Sequence, residues 1–596
     1  MNKKPQSFDG RQGRPDHPAV GAAWGRILSL ILLAFWALPA TAGSRPFFEG
    51  AGRRGAASKM SADMREHTRS HGMVTVIVQF RQMPNATAFA GMQSRGAAMR
   101  NHLHSIRAVT MRVPVGMLAE LESNPNVAYV TPDRPVSLTA ANEDYTGAVE
   151  ADVAAAQFAQ DGTGVGVAII DSGVADHPDL HDATGASRVV YSQSFVAGDT
   201  TTSDKYGHGT HVAGLIGGTG ASSGRPNGYP ATYAGMAPNV NLINLRVLDQ
   251  NGSGTDSQVI AAIQQAIALK NTYNIRVINM SLGRPVFESY TLDPVCQAVE
   301  AAWQAGIVVV VAAGNRGRDN SMGTRGFATI GAPANDPAVI TVGATRTMGT
   351  ETRVDDAIAS YSSKGPTLID HLVKPDLVAP GNRIVSLRAT GSTLDAQYPS
   401  FDVNPNSGGG RYFRLSGTSM ATPLVSGAVA LMLQQNPSLT PDQVKARLMK
   451  SAWKGFNPYT QSWDDYGNAY SNQYDIFTYG AGYLDVDAAL NNTDLATGIA
   501  LSPTAVYNAS NNTVTLVNTT SVVWGSQSVV WGANSVVWGN SVVWGANAIT
   551  SNSVVWGSTS VVWGANSVSG FSVVWGATST TASPMAAFSD GDDGEN

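Results

Sequence analysis

Between residues 143 and 490 the chain repeats one pattern, a short and nearly continuous apolar run followed by a stretch with helical spacing. The runs are VGVAIID (165–171), VNLINLRVL (240–248), IRVINMSL (275–282), GIVVVVAAG (306–314) and VITVGAT (339–345). A strand that is apolar on both faces has no side to offer to water. Such runs, spaced by helices, therefore predict a parallel sheet covered on both sides. The helical stretches include SQVIAAIQQAIALK and the run from Met420 to Gln435. A third is TPDQVKARLMKSA, in which Thr440 is placed as the N-cap and Pro441 stands at the first helical position. The predicted class is α/β, with three layers built on a mainly parallel central sheet.

A chain of 596 residues is too long for one compact domain. Ahead of the sheet, residues 73–139 read as a small α+β unit. MVTVIVQF and AVTMRVP are strands, GMQSRGAAMRNHLHSI has helical character, GMLAELESNP is a short helix and NVAYVTPDRPVSL closes the unit as a strand. At roughly 65 residues it is small for independent stability. Residues 43–72 are rich in Gly, Ser and Arg and read as a linker. At the start, Arg26 precedes the apolar run Ile27–Leu38, and Ala40-Thr41-Ala42 follows. A basic flank, a short apolar core and an A-x-A site predict a signal peptide over 1–42, with an uncleaved anchor as the alternative. The run is short for a membrane span. The expected location is secreted or extracellular, with periplasmic or surface retention left open, and a membrane met only during export.

The last Lys or Arg is Lys454, and beyond residue 490 the composition shifts to Ser, Thr, Asn, Val and Gly. A linker (491–520) leads to SVVWG repeats (521–577) and an acidic tail (578–596). Seven tryptophans mark the repeats, Trp524, Trp531, Trp538, Trp544, Trp556, Trp563 and Trp575. Val-Val-Trp favours a strand and Gly interrupts it. A stacked strand-and-turn array for adhesion or retention is one reading, and a low-complexity segment with no binding role is the other. Charged residues make up 14% of the chain and the formal net charge is -5, without a basic block, so no nucleic-acid partner is expected. The single cysteine, Cys296, excludes an internal disulfide and reads as a buried structural residue. A monomer is expected.

The chemistry starts from Ser419, in LSGTSMATPLVSGAVALMLQQ. A Gly-rich turn precedes it and an apolar helix follows, which puts its hydroxyl where the helix dipole favours developing negative charge. A lone serine is a weak nucleophile and needs a base. His208, in YGHGTHVAGLIGG, sits at a similar loop-to-helix start, and an imidazole base needs an orienting carboxylate. Asp171 ends VGVAIID, at the carboxyl edge of a central strand, where α/β sheets place their sites. Each residue alone has a structural reading, as a cap or a polar loop residue. Three such segments at the edge of one sheet favour a catalytic triad.

IIDSGV, HGTHVAG, VVAAGN and GTSMATP are similar to the signature segments of the subtilase family, and the likeness covers about 143–490. The resemblance implies a subtilisin-like fold and a secreted serine endopeptidase that forms an acyl-enzyme at Ser419. It implies that His208 is the base and His211 structural. The side-chain amide of Asn315 and the Ser419 N–H would receive the oxyanion. Ser281, Leu282 and Gly283 would pair with one side of the substrate, and Gly252, Ser253 and Gly254 with the other. Ala312, Ala313 and Gly314 would wall the S1 pocket, with Gly331 at its floor. Arg316 and Arg318 make the rim more basic than is usual in the family. Asp179 of HPDL resembles a calcium-ligand position, but the loop after HVAGLIGG is longer than the family's and lacks its pattern. No cofactor is expected for catalysis, and structural Ca2+ is left open. The 73–139 unit resembles the family's inhibitor prosegment, which would bind its own enzyme and be cut off after Leu138 or one of Thr139 to Asn142.

Two other classes fit the sequence less well. An α/β-hydrolase esterase needs G-x-S-x-G and the order Ser, acid, His, whereas here Ala421 stands two residues after Ser419 and the order is reversed. A catalytically silent surface-adhesion protein has no reason to keep Asp171, His208, Ser419 and Asn315 together. Protein or peptide substrates are therefore expected.

Overall fold

A computed structural model describes residues 58–61, 64, 72–136, 147–350, 352–403, 410–456, 459–463, 469–508 and 513–517, with short strand segments between 537 and 569. The expected signal peptide and acidic tail, and most of the linkers, lie outside the described residues.

The apolar runs form the strands they predict: Gly166–Asp171, Asn241–Arg246, Ile275–Met280, Val308–Ala312 and Ile340–Arg346. All five are parallel to their neighbours. The sheet continues through Val189–Ser194 at one edge, and Leu377–Pro380 pairs in parallel with Ile340–Arg346. Ala357–Ile358 is the antiparallel exception. Helices His208–Gly217 and Thr418–Gln435 pack together on one face, and Asp256–Leu269 and Pro294–Gln304 on the other. Every residue of the strand Val308–Ala312 is buried, as continuous apolar sequence requires. Thr440 caps the helix Pro441–Ser451 and forms a capping box with Gln443. Cys296 is buried on the helix Pro294–Gln304, its thiol 3.4 Å from Asn335 Oδ1.

The N-terminal unit is a four-stranded antiparallel sheet, in the order Ala98–Leu103, Ala108–Pro114, Met73–Phe80, Val127–Pro132. Two expectations change here. The helix expected over GMQSRGAAMRNHLHSI (91–106) lies earlier, at Ala86–Gln93, and takes in only the first three of those residues, while AMRNHL is a strand paired with Ala108–Pro114. Gly96, at φ +98°, turns the chain out of the helix, and a side chain there would press on Pro114. The unit also begins before residue 73. Met60 bridges to Val130, and Met60 and Met64 are buried in its core with Val76, Val78 and Met111. The opposite face contributes Ile77, Leu103, Ile106 and Ala108 to the main core.

The packed body also runs past the expected limit of 490. Ala496, Ala500 and Ala505 are buried. The Val373 N–H donates to Pro503 O (2.9 Å), and Ala505 N–H to His371 O (2.7 Å). Ser502 Oγ donates to Asp376 Oδ1 (2.6 Å) and accepts from Lys445 Nζ (3.2 Å), inside a fully buried cluster completed by Lys374. Residues 494–505 are thus a strap over the catalytic body. Composition hid it, because its anchors are backbone groups and small residues. In the repeat region Val542–Trp544 pairs in parallel with Val561–Trp563 and antiparallel with Val537–Trp538.

Candidate active site

Asp171 is the last residue of its strand, and His208 the first of its helix. The two meet because Gly209 lets the helix start approach the loop after Asp171. A Cβ there would lie 2.1 Å from Gly173 O. His208 Nδ1 lies 2.9 and 3.1 Å from the two Asp171 carboxylate oxygens, with both residues almost wholly buried. Asp171 Oδ1 also accepts from Ser172 N–H (2.7 Å). That arrangement puts the imidazole proton on Nδ1 and leaves Nε2 as the nitrogen with a lone pair to accept one. Nε2 is buried and has no hydrogen-bond partner.

Behind this pair stands Asp204, which motif reading missed. Its buried carboxylate accepts from the N–H groups of Tyr206, Gly207 and Thr210 and from the hydroxyls of Ser172 and Thr210. It caps the helix that carries His208, where a negative charge complements the helix dipole. Burial pushes its carboxyl above the ordinary range. His211, one turn on, has Nε2 at 3.2 Å from Ile384 O and 3.1 Å from Phe413 O. Burial, then the neighbouring His208, holds it down at about 3, so it is a neutral structural donor.

Ser419 is the second residue of the helix Thr418–Gln435, whose N-cap Gly417 has φ +150°. The helix contains Pro423, which lacks the N–H that would bond the carbonyl four residues back. That carbonyl belongs to Ser419, and it accepts instead from Ser281 Oγ at 2.8 Å. Ser281 O in turn accepts from Ser419 Oγ at 3.0 Å. The serine thus rests against Ser281, its hydroxyl held by a single bond to a backbone carbonyl. Asn279 holds Ser281 from behind (Nδ2 to Oγ, 3.0 Å).

Asn315 follows the strand Val308–Ala312. Its Oδ1 accepts from the Thr418 N–H (2.9 Å) and hydroxyl (3.1 Å), and Thr418 Oγ1 accepts from Gly314 N–H (3.1 Å). With the oxygen so committed to the residue next to Ser419, the amide N–H2 is the part of the side chain left to donate elsewhere. Thr418 is therefore a positioning residue, legible in hindsight only as the Thr of GTS. If Asn315 donates to the oxyanion, as the family resemblance implies, replacing it with Leu should lower kcat by about 10²–10³ with KM little changed, because such a donor acts on charge that exists only in the transition state. Steady-state kinetics on a peptide p-nitroanilide reads both constants.

The segments expected around a substrate also converge. Gly331 N–H donates to Ala313 O (3.1 Å), and Arg284 and Ala332 exchange backbone bonds, so 281–283, 312–314 and 331 adjoin one another. A side chain at Gly331 would come within 3.0 Å of Arg284 O. Gly252 lies against the Tyr206 ring, and Ser253 O accepts from Asp249 N–H (2.8 Å). Gly254–Thr255 is a strand whose antiparallel partner is Pro135–Val136 of the N-terminal unit, in the register Pro135 to Thr255 and Val136 to Gly254. The rim is less basic than its arginines suggest. Arg316 pairs with Asp319, and Arg318 donates to Ser360 Oγ (2.7 Å) and lies over Tyr361 and Tyr470.

Asp179 does not fit a calcium ligand here. Its Oδ1 accepts from Ser222 N–H (2.9 Å) and its Oδ2 from Tyr412 O–H, and a cation would have to displace both donors. The long 219–234 loop supplies Ser222, Tyr229 and Tyr233 around it, and the two tyrosine rings pack on Tyr412. Among the described residues no helix is long and apolar enough to cross a membrane.

Residues 162–483 match the family model described as the subtilase family. The serine protease AprX of Bacillus subtilis is 42% identical over 304 residues, spanning 50% of this chain and 63% of that protein. Subtilisin E of the same organism is 34% identical over 421 residues, spanning 69% of this chain and 89% of its own. The solved structure of fervidolysin from Fervidobacterium pennivorans, a keratinolytic enzyme related to subtilisin, shares the fold with a TM-score of 0.53. That match is 22% identical and covers 75% of this chain and 65% of that one. With its parallel sheet, its Asp171–His208 pair and its Ser419 helix, the chain belongs to the subtilase family.

Proposed function

We propose that the chain is a secreted serine endopeptidase, made as a proenzyme whose N-terminal unit occupies its own substrate cleft. The observation that carries the reading is the buried Asp171–His208 pair on a helix that packs against the helix of Ser419, with Asn315 bonded to Thr418 beside the serine. Ser419 Oγ attacks the scissile carbonyl carbon while His208 Nε2 takes its proton. Asp171 holds the imidazole and stabilises the imidazolium. The oxyanion receives the Asn315 amide and the Ser419 N–H. His208 then returns the proton to the leaving amine, and water repeats the sequence on the acyl-enzyme.

Substrate would lie as a strand between 252–254 and 281–283, so that main-chain bonds supply affinity and sequence tolerance is broad. Pro135–Val136 already pairs on the first of these edges. That supports an inhibitory role for the unit ahead of it, since a strand seated there excludes any other. A prosegment that binds only the folded enzyme also stabilises it by mass action, which helps a slowly folding parallel sheet. Export by the signal peptide expected over 1–42 completes this reading.

The test is hydrolysis of casein and of a p-nitroanilide series by the mature protein, with and without phenylmethylsulfonyl fluoride. Turnover blocked by the reagent is expected, with Leu, Phe, Tyr or Met favoured at P1 over the glycine floor at Gly331. Because Arg316 is paired with Asp319, acidic P1 residues should gain little. Strong preference for P1 Arg or Lys would overturn the pocket assignment.

A further inference from the structure

Arg134, just ahead of the strand Pro135–Val136, is buried in a pocket of the catalytic body. Its Nη1 and Nη2 donate to Glu288 Oε1 (2.5 Å) and Oε2 (2.6 Å), a two-pronged pair with both side chains about 3% exposed. Its guanidinium lies 5.0 Å from the centre of the Phe287 ring. Asp256 Oδ2, fully buried and with no hydrogen-bond partner, is 4.0 Å from Nη1. The backbone fixes the position, since Asp256 N–H donates to Arg134 O (2.8 Å). Beside it Asp133 accepts from Ser257 N–H (2.7 Å) and Oγ at the start of the helix Asp256–Leu269.

Without Arg134 this pocket is short of positive charge. Arg284 is its remaining cation, and it is spent on Asp256 Oδ1 and Asp293 Oδ2, both at 2.8 Å. Glu288 and the second oxygen of Asp256 are left without a counter-charge. An uncompensated buried carboxylate is strongly unfavourable. Once the N-terminal unit departs, the pocket must therefore hydrate, take up a proton or take another cation. Two parallel N–H bonds and a ring face suit a planar guanidinium better than an ammonium.

We propose that this pocket, formed by Glu288, Phe287 and Asp256, is a distal substrate subsite selective for arginine. It lies at least five residues before the scissile bond, since Arg134 is the fifth residue back from a cut after Leu138. The inference rests on the proposed function, in that substrate follows the edge Pro135–Val136 now follows. It gives the enzyme a specificity element outside S1, one that main-chain pairing does not provide.

The test uses a quenched peptide of residues 131–145 and its Arg134→Gln and Arg134→Lys forms, with mature enzyme from the full chain. Wild type should cut the Gln form about 10- to 100-fold less efficiently, as expected for losing a charged hydrogen-bonded pair, with Lys between. Glu288→Gln enzyme should bring the three within about 3-fold of one another. The ratio is read within each enzyme, so lower overall activity does not disturb it. If Glu288→Gln yields no mature enzyme, Phe287→Leu should still narrow the ratio several-fold. Equal rates with wild type would overturn the subsite, as would a ratio that survives either substitution. If the peptides are bound but not cut, the same ratio is read from their inhibition of casein hydrolysis. Failure to hydrolyse casein or any peptide would instead count against the proposed function.

Discussion

Ser419→Ala should lose kcat by about 10⁶, the loss known when the reactive serine is removed from subtilisin, a relative of this chain. The residual rate would come from Asn315 and substrate binding, which survive the change. The fold should survive as well, because the bonds that position the segment do not use the hydroxyl. Ser281 Oγ still reaches the Ser419 carbonyl, and Thr418 still holds Asn315. The variant should therefore melt close to wild type, which separates lost chemistry from lost structure. Its precursor should also remain uncut after signal removal, while wild type yields a chain starting between Thr139 and Asp144. N-terminal sequencing of both secreted forms reads this. A Ser419→Ala precursor cut at the same bond in a protease-deficient host would mean that another protease performs the maturation.

The second large effect concerns the strap. Stopping the chain after Asn492 looks harmless from composition, since the apolar periodicity has ended. The structure argues otherwise. Such a stop removes Ser502 from Lys445 and Asp376, unpairs Val373 N–H and uncovers the surface under Ala496, Ala500 and Ala505. The strap's own bonds are partly cancelled by the entropy of ordering it. What decides the sign is what stays behind: Val373 N–H loses its acceptor, and the Lys445–Asp376–Lys374 cluster keeps its own bonds but loses its cover, at about 1–3 kcal/mol for each group left unsatisfied. A fall in Tm of roughly 3–8 °C is expected, scaling a loss of a few kcal/mol to a body of this size. A stop after Val517 should keep both Tm and turnover of soluble substrate near wild type. Calorimetry on the two truncations decides, and equal Tm values would remove the strap from the folding unit.

The sequence made the sheet legible because each central strand announces itself locally, by apolar residues on both faces. The Asp171–His208 pair and the helix start at Ser419 were legible because each residue sits at a strand-to-loop or loop-to-helix junction with its own short motif. What stayed hidden depends on partners far apart in the chain. Asp204 is polar and unremarkable until its five donors fold around it. Asp179 looks like a metal ligand until Tyr412, 233 residues away, donates to it. AMRNHL carries helix-favouring residues, yet pairing with Ala108–Pro114 overrides that weak preference. Arg134 read as part of a closing strand, and nothing local told of Glu288 beneath it.

Cys296 has a practical consequence. Burial raises its thiol well above the ordinary range, with the charges of Asp293 and Asp336 acting in the same direction, so the reactive thiolate is scarce as well as inaccessible. No other thiol exists in the chain. A cysteine introduced at an exposed position, such as Val354 (68% exposed) or Leu495 (49%) on the strap, would be the one site open to a maleimide dye. Departure of the N-terminal unit, or lifting of the strap, could then be followed by fluorescence in real time against a wild-type background that takes up no label.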